Sequence, residues 1–174
     1  VTPDDLLNFA DLEAFGQNNY TKELDDLQTV LDWLPNPEGL EKTPDWNIND
    51  LTLIGHSRGG PIVLIAAKEN EAVKRVITWA GVHELNYSWE NKPLQIAQWQ
   101  QDRVIHILNG RTKQQMPLYY QLYENYRANR KRLSVKDTLQ ALQKPYLIVH
   151  GSADPAVPLA SAEYLKEHYP NAVL

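Results

Sequence analysis

Leu27, Leu31 and Leu34 follow Leu24 at offsets of three, seven and ten, laying one apolar stripe along a helix that Thr21 can cap and that Pro35 and Pro37 terminate. The preceding residues, 1–20, are acidic and carry the turn-formers Gly16, Asn18 and Asn19 without strong periodicity, so they are predicted to be irregular. Residues 38–50 read as a loop. Leu51-Thr52-Leu53-Ile54 is a short apolar run ending at Gly55, and residues 61–67 continue as a helix whose first turn tolerates Pro61, because proline lacks only a donor that turn does not need. Residues 73–79, rich in β-branched and aromatic side chains (Val73, Val76, Ile77, Thr78, Trp79), stop at Ala80-Gly81 and predict a second strand. The order to this point is strand, helix, strand.

From 82 to about 144 the pattern changes to Gln- and Tyr-rich stretches, with Leu118, Tyr119, Leu122, Tyr123 and Tyr126 at helical spacing, and reads as inserted helices. Tyr119, Tyr120, Tyr123 and Tyr126 are expected to pack as core. Tyr146-Leu147-Ile148-Val149 predicts a third strand, residues 150–158 a loop, the next stretch a helix to about His168, and Ala172-Val173-Leu174 the opening of a fourth strand. Alternation of this kind implies an α/β protein with a mostly parallel sheet, helices on both faces, and ligands bound beyond the carboxyl ends of the strands.

At 174 residues the chain is one domain's worth, enough to bury roughly 68–70% of its extended surface without staples. It has no cysteine, which excludes disulfides, thiolate metal sites and cysteine nucleophiles. The formal net charge is −5, and a negative chain is a poor partner for phosphate backbones, so no nucleic acid is expected. Arg127, Arg130, Lys131, Arg132 and Lys136 form the single basic cluster, read as a solvated helix face. The longest apolar run, 61–67, is far short of the roughly 20 residues a bilayer needs, so no membrane span is expected. No leader is visible before Val1, which leaves a cytoplasmic location as the expectation. Histidines at ligand spacing and glycine-rich phosphate loops are missing from the sequence, so neither metal nor cofactor is expected.

Gly55-His56-Ser57-Arg58-Gly59 fits Gly-x-Ser-x-Gly, a spacing that places a serine on a sharp strand-to-helix turn with its hydroxyl exposed at the sheet edge. The flanking glycines, Gly55 and Gly59, let strand and helix pass closely, with Gly60 a further small residue behind them. Three fixed positions arise by chance roughly 0.06 times in such a chain. Here, however, the motif closes an apolar strand and opens an apolar helix, the context it requires. The Arg58 N–H would point, with the helix dipole, at an oxyanion formed on attack by Ser57. Its side chain would meet either substrate or a surface carboxylate. Asp154, in His150-Gly151-Ser152-Ala153-Asp154-Pro155-Ala156-Val157-Pro158, follows the third strand and so reaches the same sheet edge, where a carboxylate can orient a histidine and stabilise its imidazolium.

These two motifs and their order resemble the α/β-hydrolases, particularly the dienelactone-hydrolase-like and prolyl-oligopeptidase-like esterases and peptidases, over roughly residues 21–174. The resemblance implies a partial α/β-hydrolase domain over 1–174, with residues 82–144 as a helical cap or lid. It implies Ser57 as nucleophile, Arg58 N–H as oxyanion donor, Asp154 as triad acid, and a small-molecule ester or peptide as substrate. Two parts of the family pattern are missing: a histidine in a loop after one further strand, and early strands with a second oxyanion N–H. The chain therefore reads as the middle of a longer hydrolase, its partner being the remainder of its own polypeptide or a self-associating sheet edge. A non-catalytic binding protein on the same scaffold is the rival of another class.

None of the five histidines fills the missing place. His56 is expected to pack into the fold, His106 to lie in a buried segment, and His168 to cap helix carbonyls. His83 is the best pocket candidate, in a loop role rather than as base, and Glu84 is a runner-up acid.

Overall fold

The computed structural model describes residues 5–38, 46–86, 88–89 and 91–174. Part of the predicted loop, residues 39–45, lies outside the described residues, as do residues 1–4 of the irregular start. The chain divides into two compact units, residues 23–87 with 130–174 and residues 1–22 with 88–129.

In the first unit β1 (Leu51–His56), β2 (Val73–Trp79) and β5 (Tyr146–Val149) form a parallel sheet in the order β1-β2-β5. The register aligns Ile54 with Ile77, and Ile77 with Leu147. Val173 adds an isolated parallel bridge to Leu147, so the predicted fourth strand begins where the sequence placed it. Three helices cover one face: α3 (Gly59–Glu69), α6 (Val135–Ala141) and α7 (Leu159–His168). α3 is buried from Gly60 to Ala67, so an apolar sequence with little periodicity is what its position requires. Ser134 caps α6 by accepting from the Asp137 N–H at 3.1 Å. Leu64 of α3, Leu139 of α6 and Leu165 of α7 meet Val76, Tyr146 and Ile148 of the sheet in the core. Leu27 and Leu31 of α2 (Tyr20–Trp33), with Leu34 just past its end, pack on the same cluster, the face that the leucine spacing predicted.

The other face of the sheet is apolar and open. Ile54, Trp79, Leu147, Val149 and Val173 are all exposed on it. The exposed apolar surface is thus a sheet face, not only the edge that the sequence suggested, because parallel strands place alternate side chains on opposite faces.

In the second unit the reading of residues 82–144 as inserted helices needs correction. Between α4 (Pro93–Asp102) and α5 (Gln121–Ala128) runs an antiparallel hairpin of β3 (Val104–Leu108) and β4 (Gln115–Tyr119), so Leu118 and Tyr119 are strand residues. Asn109-Gly110 at the turn is the local signal of the hairpin: the Asn109 side chain accepts from the N–H groups of Arg111 and Thr112. His106, expected to be buried, is exposed, since a two-stranded hairpin leaves one side to solvent. Residues 1–20 also hold a helix, α1 (Leu12–Gly16), capped by Asp11, which accepts from the Ala14 N–H at 2.8 Å. α2 begins one residue before Thr21, and Asn19 is its cap, accepting from the Lys22 N–H at 3.0 Å. Tyr20, Trp89, Trp99, Tyr120 and Tyr126 cluster as the aromatic core of this unit.

The basic residues do not form one helix face. Arg127 is on α5, Arg130 to Arg132 lie in a turn, and Lys136 is on α6, while Arg132 pairs with Glu69 at 2.9 Å. Among the described residues no helix is long and apolar enough to cross a membrane.

Candidate functional site

The sequence-derived site residues all fall in the unit of residues 23–87 and 130–174. Ser57 occupies the turn between β1 and α3 with φ 53°, a left-handed conformation that costs a side-chain-bearing residue about 1–3 kcal/mol and is retained only where its surroundings enforce it. The enforcing contacts are backbone bonds. Ser57 N–H donates to Trp79 O at 3.0 Å, and Ser57 O accepts from Gly60 N–H at 3.0 Å and Val82 N–H at 3.3 Å. A Cβ on Gly55 would lie 2.3 Å from Gly59 O and 2.5 Å from a Val63 methyl, so only glycine fits there. The second close approach is at Gly60, whose Cβ would lie 3.0 Å from Gly81 Cα, whereas the space beside Gly59 is open. Close passage of strand and helix therefore rests on Gly55 and Gly60.

Arg58 precedes the first turn of α3, and its guanidinium pairs with Glu23 at 2.7 Å, the surface-carboxylate outcome of the two expected for that side chain. Ala80, at the end of β2, is also left-handed (φ 48°) and donates to Val149 O at 2.8 Å. That bond ties the loop after β2 to the strand end from which the Asp154 loop departs. Ala80 and Val82 thus hold the turn in place, a role that only the Ala80-Gly81 strand stop hinted at.

Asp154 Oδ1 accepts from Ala156 N–H at 2.8 Å and Val157 N–H at 3.0 Å. Val157 N–H foremost, then Ala156 N–H, hold its carboxyl below the ordinary value, with smaller contributions from His150 and His56. His150 Nε2 donates to Val157 O at 2.8 Å, closing the same loop from the other side. The buried Nδ1 of the same ring has no partner among the described residues.

His56 does not pack into the fold. Strand alternation places it with Ile54 on the open face, its ring 5.8 Å from that of Trp79. His83 shares a 3.0 Å hydrogen bond between its Nδ1 and Ser161 Oγ and lies against Tyr164, tying the loop after β2 to α7. Glu84 beside it is half-buried. His168 Nδ1 donates to Tyr164 O at 2.9 Å, the carbonyl-capping role expected of it. Among the described residues neither the Ser57 hydroxyl nor the Asp154 carboxylate is hydrogen-bonded to an imidazole, and no group of three or more His, Asp or Glu could hold a metal ion.

The chain resembles several solved α/β-hydrolase structures. They include the esterase domain of a Rhodothermus marinus protein (21% identity, TM-score 0.55, covering 91% of this chain and 58% of that one). Est1E of Butyrivibrio proteoclasticus with ferulic acid bound matches at 22% identity and TM-score 0.67, over 90% of this chain and 58% of its own. A hydrolase-like protein of Agrobacterium vitis S4 matches at 23% and TM-score 0.67, over 92% and 60%. The chain thus spans about three fifths of the length of these structures. No curated protein sequence matches it. The family model of the prolyl oligopeptidases matches residues 12–167. With that match over a parallel sheet flanked by helices, the chain belongs to the prolyl oligopeptidase family and has part of an α/β-hydrolase fold.

Proposed function

We propose that this chain carries the nucleophile and acid of a serine hydrolase that cleaves carboxylic esters through an acyl-enzyme on Ser57. The observation that carries the reading is the left-handed backbone of Ser57 at a strand-to-helix turn where glycine is sterically required on the strand side. In this nucleophile elbow the Ser57 hydroxyl attacks the ester carbonyl and its proton passes to a histidine supplied from outside these residues. The Arg58 N–H, at the N-terminal end of α3, donates to the oxyanion, and Asp154 orients the imidazolium. Expulsion of the alcohol leaves the acyl-enzyme, which water then hydrolyses, freeing the Ser57 hydroxyl. The three-fifths span relative to the solved structures supports the view that base and second oxyanion donor lie elsewhere in the polypeptide. Residues covering the open sheet face would come from the same source.

The family match itself favours one second reading, a serine peptidase acting on short peptide amides. The test is turnover of p-nitrophenyl acetate and of a prolyl p-nitroanilide. The 174-residue chain should turn over neither at an appreciable rate, and the polypeptide extended to the relatives' length should favour the ester and lose activity in Ser57→Ala. Ester turnover surviving Ser57→Ala overturns the proposal, and a preference for the anilide moves it to the peptidase reading.

A further inference from the structure

In the unit of residues 1–22 and 88–129, Trp89, Ile96, Trp99, Ile105, Ile107 and Leu118 line a concavity of about 330 Å³. That volume lies near the lower end of the roughly 300–1,000 Å³ typical of small-molecule sites. Its polar lining residues, Ser88, Gln95 and Gln98, are uncharged, and no charged residue lines it among the described residues. The two indoles differ in one respect. Trp99 Nε1 donates to Leu118 O at 2.8 Å, whereas Trp89, only 8% exposed, has a buried Nε1–H with no acceptor among the described residues. Leaving such a donor unpaired is costly in a well-packed core, and an acceptor brought by a ligand would remove the cost.

We infer that this pocket binds a neutral, single-ring aromatic compound bearing a carbonyl, with the ring packed against the Trp89 and Trp99 indoles and the carbonyl oxygen accepting from Trp89 Nε1–H after a small shift of the indole. An anion or cation is disfavoured because no charged residue among the described residues lines the site to repay its desolvation. Aromatic pairing and one hydrogen bond give the site preference for a ring with a carbonyl over a bare ring. The proposal goes beyond the hydrolase reading and does not depend on Ser57.

The test is an indole-region ¹H–¹⁵N titration of the 174-residue chain and its Ser57→Ala variant with N-phenylacetamide, using toluene and benzoate as comparators. Five tryptophans give five indole signals, and Trp89→Phe identifies that of Trp89. N-phenylacetamide should shift the Trp89 signal saturably and equally in both backgrounds, toluene should bind about tenfold more weakly, and benzoate should not bind. Trp89→Phe, keeping the ring without its donor, should abolish the preference over toluene, and Ile107→Glu, at a position 44% exposed, should weaken binding at least tenfold while the other indole signals stay in place. No saturable shift up to the solubility limit, an unchanged preference in Trp89→Phe, or undiminished binding in Ile107→Glu overturns the proposal. Because the readout is binding in a Ser57→Ala background, its failure is distinguishable from failure of the hydrolase reading.

Discussion

Ile148 and Leu147 are neighbours in β5, yet Ile148 is 2% exposed beneath the helices and Leu147 is 37% exposed on the opposite face. The same division runs across the sheet: Val76 and Tyr146 are buried with Ile148, while Ile54 and Trp79, 63% and 59% exposed, stand with Leu147. Both faces are apolar, so composition does not separate them. What separates them is that α3, α6 and α7 are positioned by one face only, and that face also holds Gly55 against α3 and so fixes the turn bearing Ser57. The hydrophobic effect acts on area removed from water, and side chains on the open face have little of it to contribute.

The hardest test of this contrast is Gly55→Val. On the covered face the new side chain collides with the Gly59 carbonyl, and the loss should be about 5 kcal/mol or more, seen as absence of a cooperative thermal transition. Next, Ile148→Ala should cost about 3 kcal/mol in chemical denaturation, while Leu147→Ala one residue away costs about 0.5 kcal/mol. Equal losses would dissolve the distinction between the faces. Tyr146→Phe sharpens it further: the Tyr146 hydroxyl lies 2.8 Å from Thr78 Oγ1 within the covered face, where burial holds the phenol well above its usual range. Removing that hydroxyl strands Thr78 and should cost about 1–2 kcal/mol.

The smallest effect belongs to the exposed loop beyond the sheet. The Val157 and Ala156 N–H groups hold the Asp154 carboxyl below its ordinary 3.8, so its contribution is fully present above that value and is lost as pH falls through the lower, folded one. A carboxyl-carbon titration should place the Asp154 midpoint below that of an unfolded peptide, and Asp154→Asn should flatten acid unfolding only in that window. A midpoint at or above 3.8 would show that the loop does not grip the carboxylate.

Much of the sheet-bearing unit was legible because its signals are local. The leucine spacing before Pro35, the runs at 51–54, 73–79 and 146–149, and the Gly-x-Ser-x-Gly spacing each describe a neighbourhood of a few residues, and each became the predicted element. The hairpin of β3 and β4 is hidden by tyrosines and leucines at helical spacing, with Asn109-Gly110 the one local sign of it, and Leu118 and Tyr119 are held in a strand by partners on β3. The exposure of His106 is hidden for a related reason, since a β-branched run does not say how many strands will flank it.

By itself, the sequence determined where the chain turns, which stripe of α2 is apolar, and that a serine sits between a strand and a helix at Ser57, because these follow from backbone sterics and periodicity within one element. Only the tertiary structure decided which sheet face is covered, that Gly60 rather than Gly59 permits the close approach, and that the Ala80 N–H and Val149 O link the loop after β2 to the strand that leads into the Asp154 loop. Those facts depend on residues far apart in the chain meeting in space, which no local pattern encodes.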